Sequence, residues 1–158
     1  MERHDAPALA GYRSDPDVAQ YQGWDVPFTL DDAVRFVDGI ARLSWPVLDD
    51  WYQIAIDLDG RMIGDVGVHQ SADGREATIG YTLAREHQGV GYATEAVAAV
   101  IEHLFAAGTE RINASIDPAN TASARLLDRL GFRLVLRTTA VVRGDTVPDH
   151  QYVLVPGA

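Results

Sequence analysis

Cysteine is absent from the 158 residues, and so is lysine, because all 13 basic residues are arginine. Without cysteine there is no disulfide, no thiolate nucleophile and no cysteine metal site. Without lysine there is neither the lysine of a nucleotide-binding P-loop nor an amine for Schiff-base chemistry. Genomic base composition is the bland source of the missing lysine. The five histidines show no His-x-x-x-His spacing, so no metal is expected. No apolar run approaches the ~20 residues of a membrane span. The opening Met1-Glu2-Arg3-His4-Asp5 lacks the apolar stretch of a signal peptide. A cytoplasmic protein with no membrane partner is the expectation.

What is present points to one folded domain over residues 1–158, with 47% hydrophobic residues and no linker, repeat or low-complexity segment. The formal net charge of −10 excludes nucleic acid as a natural partner, because binding it rests on Lys and Arg neutralising phosphates. The same field favours a cationic substrate such as an amine, or serves solubility alone.

Residues 5–13 and 30–43 read as helices, the second with Ala33, Val34, Val37, Ile40 and Ala41 at helical intervals and Thr29 as N-cap. Between them, Tyr21, Trp24 and Phe28 either wall a ligand site or pack on the core. Ile54 to Leu58, the turn Asp59-Gly60, Met62 to Val68 and Ala77 to Leu83 read as an antiparallel meander. Then the period changes. Ala93, Ala96, Val97, Val100, Ile101 and Leu104 mark an amphipathic helix, which Gly108 ends. Arg111 to Ile116 reads as a strand, and a helix from Pro118 to Leu130 closes on Gly131 and Phe132 in a Schellman ending. Leu134 to Val142 and Gln151 to Val155 complete a mixed, mostly antiparallel sheet flanked by helices, an α/β fold.

Gln88-Gly89-Val90-Gly91-Tyr92-Ala93 lies between a strand and the long helix. Its glycines allow a tight turn, and the first-turn N–H groups of the helix suit a phosphate. A dinucleotide fingerprint would need glycine at Thr94, and a P-loop would need lysine. A plain connecting turn stays open on these residues alone.

The wider pattern is more specific. Gln88-x-x-Gly91-x-Ala93 resembles the [Gln/Arg]-x-x-Gly-x-[Gly/Ala] signature of the GNAT N-acetyltransferase superfamily. Ile79-Gly80-Tyr81-Thr82-Leu83, Asn120-Thr121-Ala122-Ser123, Leu130-Gly131-Phe132 and Tyr12-Arg13-Ser14-Asp15-Pro16 resemble its RimJ/RimL-like branch. The resemblance implies acetyl-CoA as cosubstrate. Its pyrophosphate would lie on Gln88, Gly89, Val90, Gly91, Tyr92 and Ala93, with Thr94 nearby. Its pantetheine arm would pair with backbone near Leu83 and Ala84, with Asn120 on the other side. Arg125 and Arg85 are candidates for the nucleotide phosphates, or are solvated surface residues.

The resemblance also implies direct transfer to an amine, with a backbone N–H near Leu83 stabilising the thioester oxygen. Many relatives carry a tyrosine as general acid where this chain has Leu127. Ser123 is the substitute, or only caps backbone groups. For the general base, Thr78 stands where relatives often carry glutamate. Glu76, two residues earlier, and Asp65 on the neighbouring strand are the candidates. Glu95 complements the helix dipole. His150 either lines the acceptor side or is exposed.

Relatives usually begin with a strand ahead of the first helix. Here Asp5-Ala6-Pro7 comes almost at once, so the first strand is expected to be missing and a homodimer to cover the exposed edge. The functional expectation is an N-acetyltransferase acting on a peptide α-amine or a small amine. Acetylation of an aminoglycoside or polyamine is the alternative among enzymes, and a non-catalytic acyl-CoA-binding module the alternative among classes.

Overall fold

The computed structural model describes residues 1–157. A 3-10 turn at Arg3–Asp5 leads into α1 (Ala6–Ser14), α2 (Pro16–Ala19) and α3 (Leu30–Ile40). The strands β1 (Trp51–Leu58), β2 (Arg61–Gln70) and β3 (Glu76–Leu83) follow, then α4 (Tyr92–Ala106), β4 (Arg111–Ile116) and α5 (Thr121–Arg129). The described chain closes with β5 (Arg133–Val142) and β6 (Asp145–Leu154). The strands form one sheet in the order β1-β2-β3-β4-β6-β5. All neighbours are antiparallel except β3 and β4, which α4 joins by crossover. No strand precedes α1 among the described residues, and β1 lies at the sheet edge.

The local signals act as read. Thr29 Oγ1 accepts the Asp32 N–H while an Asp32 carboxylate oxygen accepts the Thr29 N–H, a reciprocal cap that starts α3. Asp59 and Gly60 turn the β1–β2 hairpin with φ of 53° and 78°. Gly131, at φ 85°, ends α5, and the Phe132 N–H reaches the Leu127 carbonyl at 3.0 Å.

Two segments differ from the sequence reading. α2 occupies part of the expected loop, with Asp15 accepting the Asp17 N–H and Pro16 in the first turn. Residues 145–150, read as loop, belong to β6. Pro148 is tolerated because β4 pairs with β6 only as far as His150, so the proline's missing N–H faces no strand.

The sheet separates two apolar layers. On one face Val66, Val68, Ile79 and Ile112 pack with Val97, Leu104 and Leu127 of α4 and α5. On the other, Leu9, Val37, Ala33 and Met62 join α1 and α3 to the strands. A bulge places Ile63 opposite no β1 partner and reverses which face β2 side chains take beyond it.

Candidate active site

β3 and β4 pair only from Glu76 with Arg111 to Ile79 with Ala114, and beyond these they diverge. The gap opens beside the N-terminus of α4. Here the chain passes through Gly89 and Gly91, at φ 82° and 102°. A Cβ at either would meet nothing within 4 Å, so backbone conformation rather than space asks for glycine there. The first bond inside α4 runs from the Glu95 N–H to the Gly91 carbonyl. The N–H groups of Gly91, Tyr92, Ala93 and Thr94 precede it and face outward at the positive end of the helix dipole. Opposite them stand Arg125 and Arg129 of α5, the latter with Nη2 3.5 Å from Thr94 Oγ1. Together these surfaces bound a groove of about 1120 Å³ that also takes in Leu83, Asn120 and Ser123.

The strand side of the groove follows from parity. The Ala84 N–H donates to the Ile63 carbonyl at 2.8 Å, so Ala84 faces β2. Backbone groups alternate along a strand, and Leu83 and Tyr81 therefore present theirs to the gap. Gln88 Nε2 donates to the Leu83 carbonyl at 2.9 Å, which leaves the Leu83 N–H directed into the gap.

Asn120 caps α5 by accepting the Ser123 N–H on Oδ1 at 3.1 Å. The Ser123 hydroxyl makes no hydrogen bond among the described residues. Tyr81 Oη donates to the Ser123 carbonyl at 3.4 Å, and burial pushes the phenol up to about 12, so it stays protonated at neutral pH. Tyr81, Asn120 and Ser123 border both the groove and a second, smaller chamber of about 280 Å³ between the ends of β3 and β4 and the β5–β6 hairpin. Tyr21, Asp117, Asp145 and Asp149 line this chamber. Asp149 is buried, and Ser115 Oγ donates to its Oδ1.

Several sequence-based candidates lie elsewhere. Glu76 is exposed at the start of β3, four residues or ~13 Å along the strand from Gly80, where the gap opens. Asp65 lies on the α1 face of β2, where it accepts from Tyr12 Oη and, at 3.2 Å, from Arg13 Nη2. Burial raises its carboxyl above the ordinary range, and Arg13 opposes this. Neither carboxylate borders the groove or the chamber. Ala84 has both backbone groups engaged within the fold, its N–H by the Ile63 carbonyl and its carbonyl by the His87 N–H. Arg85 pairs with Asp17. Of the three loop aromatics only Tyr21 borders the site, while Trp24 and Phe28 stack on the Arg13 guanidinium at 4.5 and 5.1 Å. His150 is not among the chamber's lining residues.

Sequence reasoning passed over Arg129 and Asp149. Arg129 follows Arg125 by one helical turn and shares its face, a spacing that was open to reading. Asp149 gave no such signal, since it lay between the two expected closing strands. Among the described residues no group of His, Asp and Glu is arranged to hold a metal, and no helix is long and apolar enough to cross a membrane.

The splayed strand pair and the glycine-turned helix N-terminus lie on the segments that carry the motifs of the resemblance. The family model of the acetyltransferase (GNAT) domain matches residues 1–133, and the chain belongs to this family. An uncharacterized N-acetyltransferase of Bacillus licheniformis, p20, is 32% identical over 98% of this chain and 89% of its own. The GNAT-family acetyltransferase of Bacillus anthracis superposes with a TM-score of 0.84 at 23% identity, over 98% of this chain and 91% of that one. RimL, a ribosomal L7/L12 α-N-protein acetyltransferase solved with coenzyme A, superposes with a TM-score of 0.83 at 20% identity, over 98% and 90%. The chain is an N-acetyltransferase.

Proposed function

We propose that acetyl-CoA is the donor and a primary amine the acceptor, either a peptide α-amino group or the end of a small amine. The observation that carries this is the junction at Ser123 and Tyr81, where an anion-binding groove meets a chamber bearing carboxylates. The donor residues fit the group. Four outward N–H groups and two arginines match a pyrophosphate, and the Leu83 N–H matches an acceptor atom in the gap. RimL carries coenzyme A in its crystals, which supports the same occupant here.

The donor supplies an acetyl group activated as a thioester. As the amine nitrogen attacks, negative charge gathers on the thioester oxygen, and the Leu83 N–H is the fixed donor offered to it. Ser123 is the general acid for the leaving thiolate, with its hydroxyl unengaged and its backbone held by Asn120 and Tyr81. The charge of −10 favours acceptors that arrive as cations, polyamines included. A homodimer that covers the β1 edge also belongs to this reading, and light scattering showing a monomer at micromolar concentration would remove it.

A thermal-shift titration tests the donor. Acetyl-CoA at 100 times its dissociation constant is expected to add about 2.7 kcal/mol to stability, with NAD and ATP giving no comparable shift. Equal shifts with all three, or none with acetyl-CoA, would refute it.

A further inference from the structure

Asp65 and Asp149, both buried carboxylates, are treated differently by the fold. Asp65 is buried against a guanidinium and a phenol. Asp149 is buried to a similar degree, 7% exposed against 3%, yet has no cationic partner among the described residues. Among the described residues, the one hydrogen bond to its carboxylate comes from Ser115 Oγ to Oδ1. Arg143 borders the same chamber, but its Nη2 turns to the Gln20 carbonyl at 3.4 Å. Burying a carboxylate is costly unless it is paired, and a cationic group entering the chamber would supply the pairing. The chamber in which Asp149 sits opens onto Ser123 and Tyr81, the junction at which transfer is placed.

We infer that Asp149 is a catalytic residue that receives the acceptor's ammonium group and takes its proton, and that the acceptor is a slender primary amine able to enter the chamber as a cation. This rests on the acetyltransfer reading above. The volume of about 280 Å³ lies just below the roughly 300–1,000 Å³ of typical ligand pockets, and suits the end of a chain rather than a cluster of sugar rings. Asp117 and Asp145 on the same walls extend the preference for positive charge.

The proton balance is simple. The ammonium gives one proton to Asp149, which passes it to water. The freed lone pair forms the C–N bond as the C–S bond breaks, and the electron pair of that bond leaves on sulfur. The second proton lost from nitrogen as the amide forms balances the one the thiolate takes up. Ser115 positions the carboxylate by holding Oδ1.

The test compares acceptors that arrive charged with one that does not. Putrescine and a tripeptide with a free α-amino group carry a proton at neutral pH, whereas hydroxylamine is already largely uncharged. Asp149→Asn should lower kcat/KM for the two cations by about 10²-fold or more, and leave hydroxylamine transfer and the acetyl-CoA thermal shift near wild type. Ser115→Ala should give a smaller loss confined to the same two acceptors, and carries the test if Asp149→Asn does not fold. Undiminished rates with the cations, or an equal loss with hydroxylamine, would overturn the assignment. So would a wild-type enzyme that acetylates hydroxylamine and neither cation. Absence of the acetyl-CoA shift in the wild type would instead strike the donor reading.

Discussion

At the scale of single residues, Ser123 separates two roles that the sequence left open. A serine in the first turn of a helix often serves as a cap, but here Asn120 supplies the cap of α5. The hydroxyl is left at the meeting point of groove and chamber. Ser123→Ala is therefore expected to lower kcat by about 10²-fold or more with little change in stability or in acetyl-CoA affinity. Steady-state kinetics beside a denaturation curve checks this. A loss of stability without loss of kcat would return Ser123 to a structural part. Tyr81 is the neighbour to watch in the same experiment, since burial holds its phenol protonated and able to donate.

At the scale of elements, Asp65 ties α1 to β2 through Tyr12 and Arg13, and Arg13 is in turn stacked among Trp24, Phe28 and Phe36. Asp65→Ala leaves the guanidinium buried without its counter-charge, and is expected to cost about 3–5 kcal/mol in urea unfolding. The same residue shows where sequence reading stops. Periodicity located β2 and β3, but the bulge at Ile63 decides which face Asp65 takes, and Gly64 beside it was the one residue that pointed to a bulge. Glu76 was read from alternation onto a plausible face, yet only the register of β3 against β4 shows that the strands part four residues further on. The glycine-turned loop was legible because its chemistry is local: two left-handed positions and a helix start lie within a few residues. Arg129 was legible in principle through its spacing from Arg125. Asp149 was not, because its setting comes from a strand, a hairpin and a serine far apart in the chain.

At the scale of the whole molecule, the charge of −10 would act on the two proposed substrates in opposite senses. It would draw in a cationic acceptor and repel an anionic donor, a repulsion that the arginines of α5 and the α4 N-terminus would offset locally. The screening length falls from about 10 Å at 0.1 M salt to about 3 Å at 1 M. Added salt should therefore lower kcat/KM for putrescine while leaving hydroxylamine, which is largely uncharged, nearly constant. Initial rates across that range decide the matter, and a parallel decline for both acceptors would show that the global field has no part in acceptor choice. The bond from Gln88 Nε2 to the Leu83 carbonyl has a consequence for what the signature itself permits. The position needs a long, flexible stem ending in an N–H donor, because its task is to brace the end of β3 at Leu83 against the glycine-turned loop before α4. Glutamine and arginine both satisfy that grammar. Glutamate, of nearly the same shape, would set oxygen against oxygen and push the strand end and the loop apart.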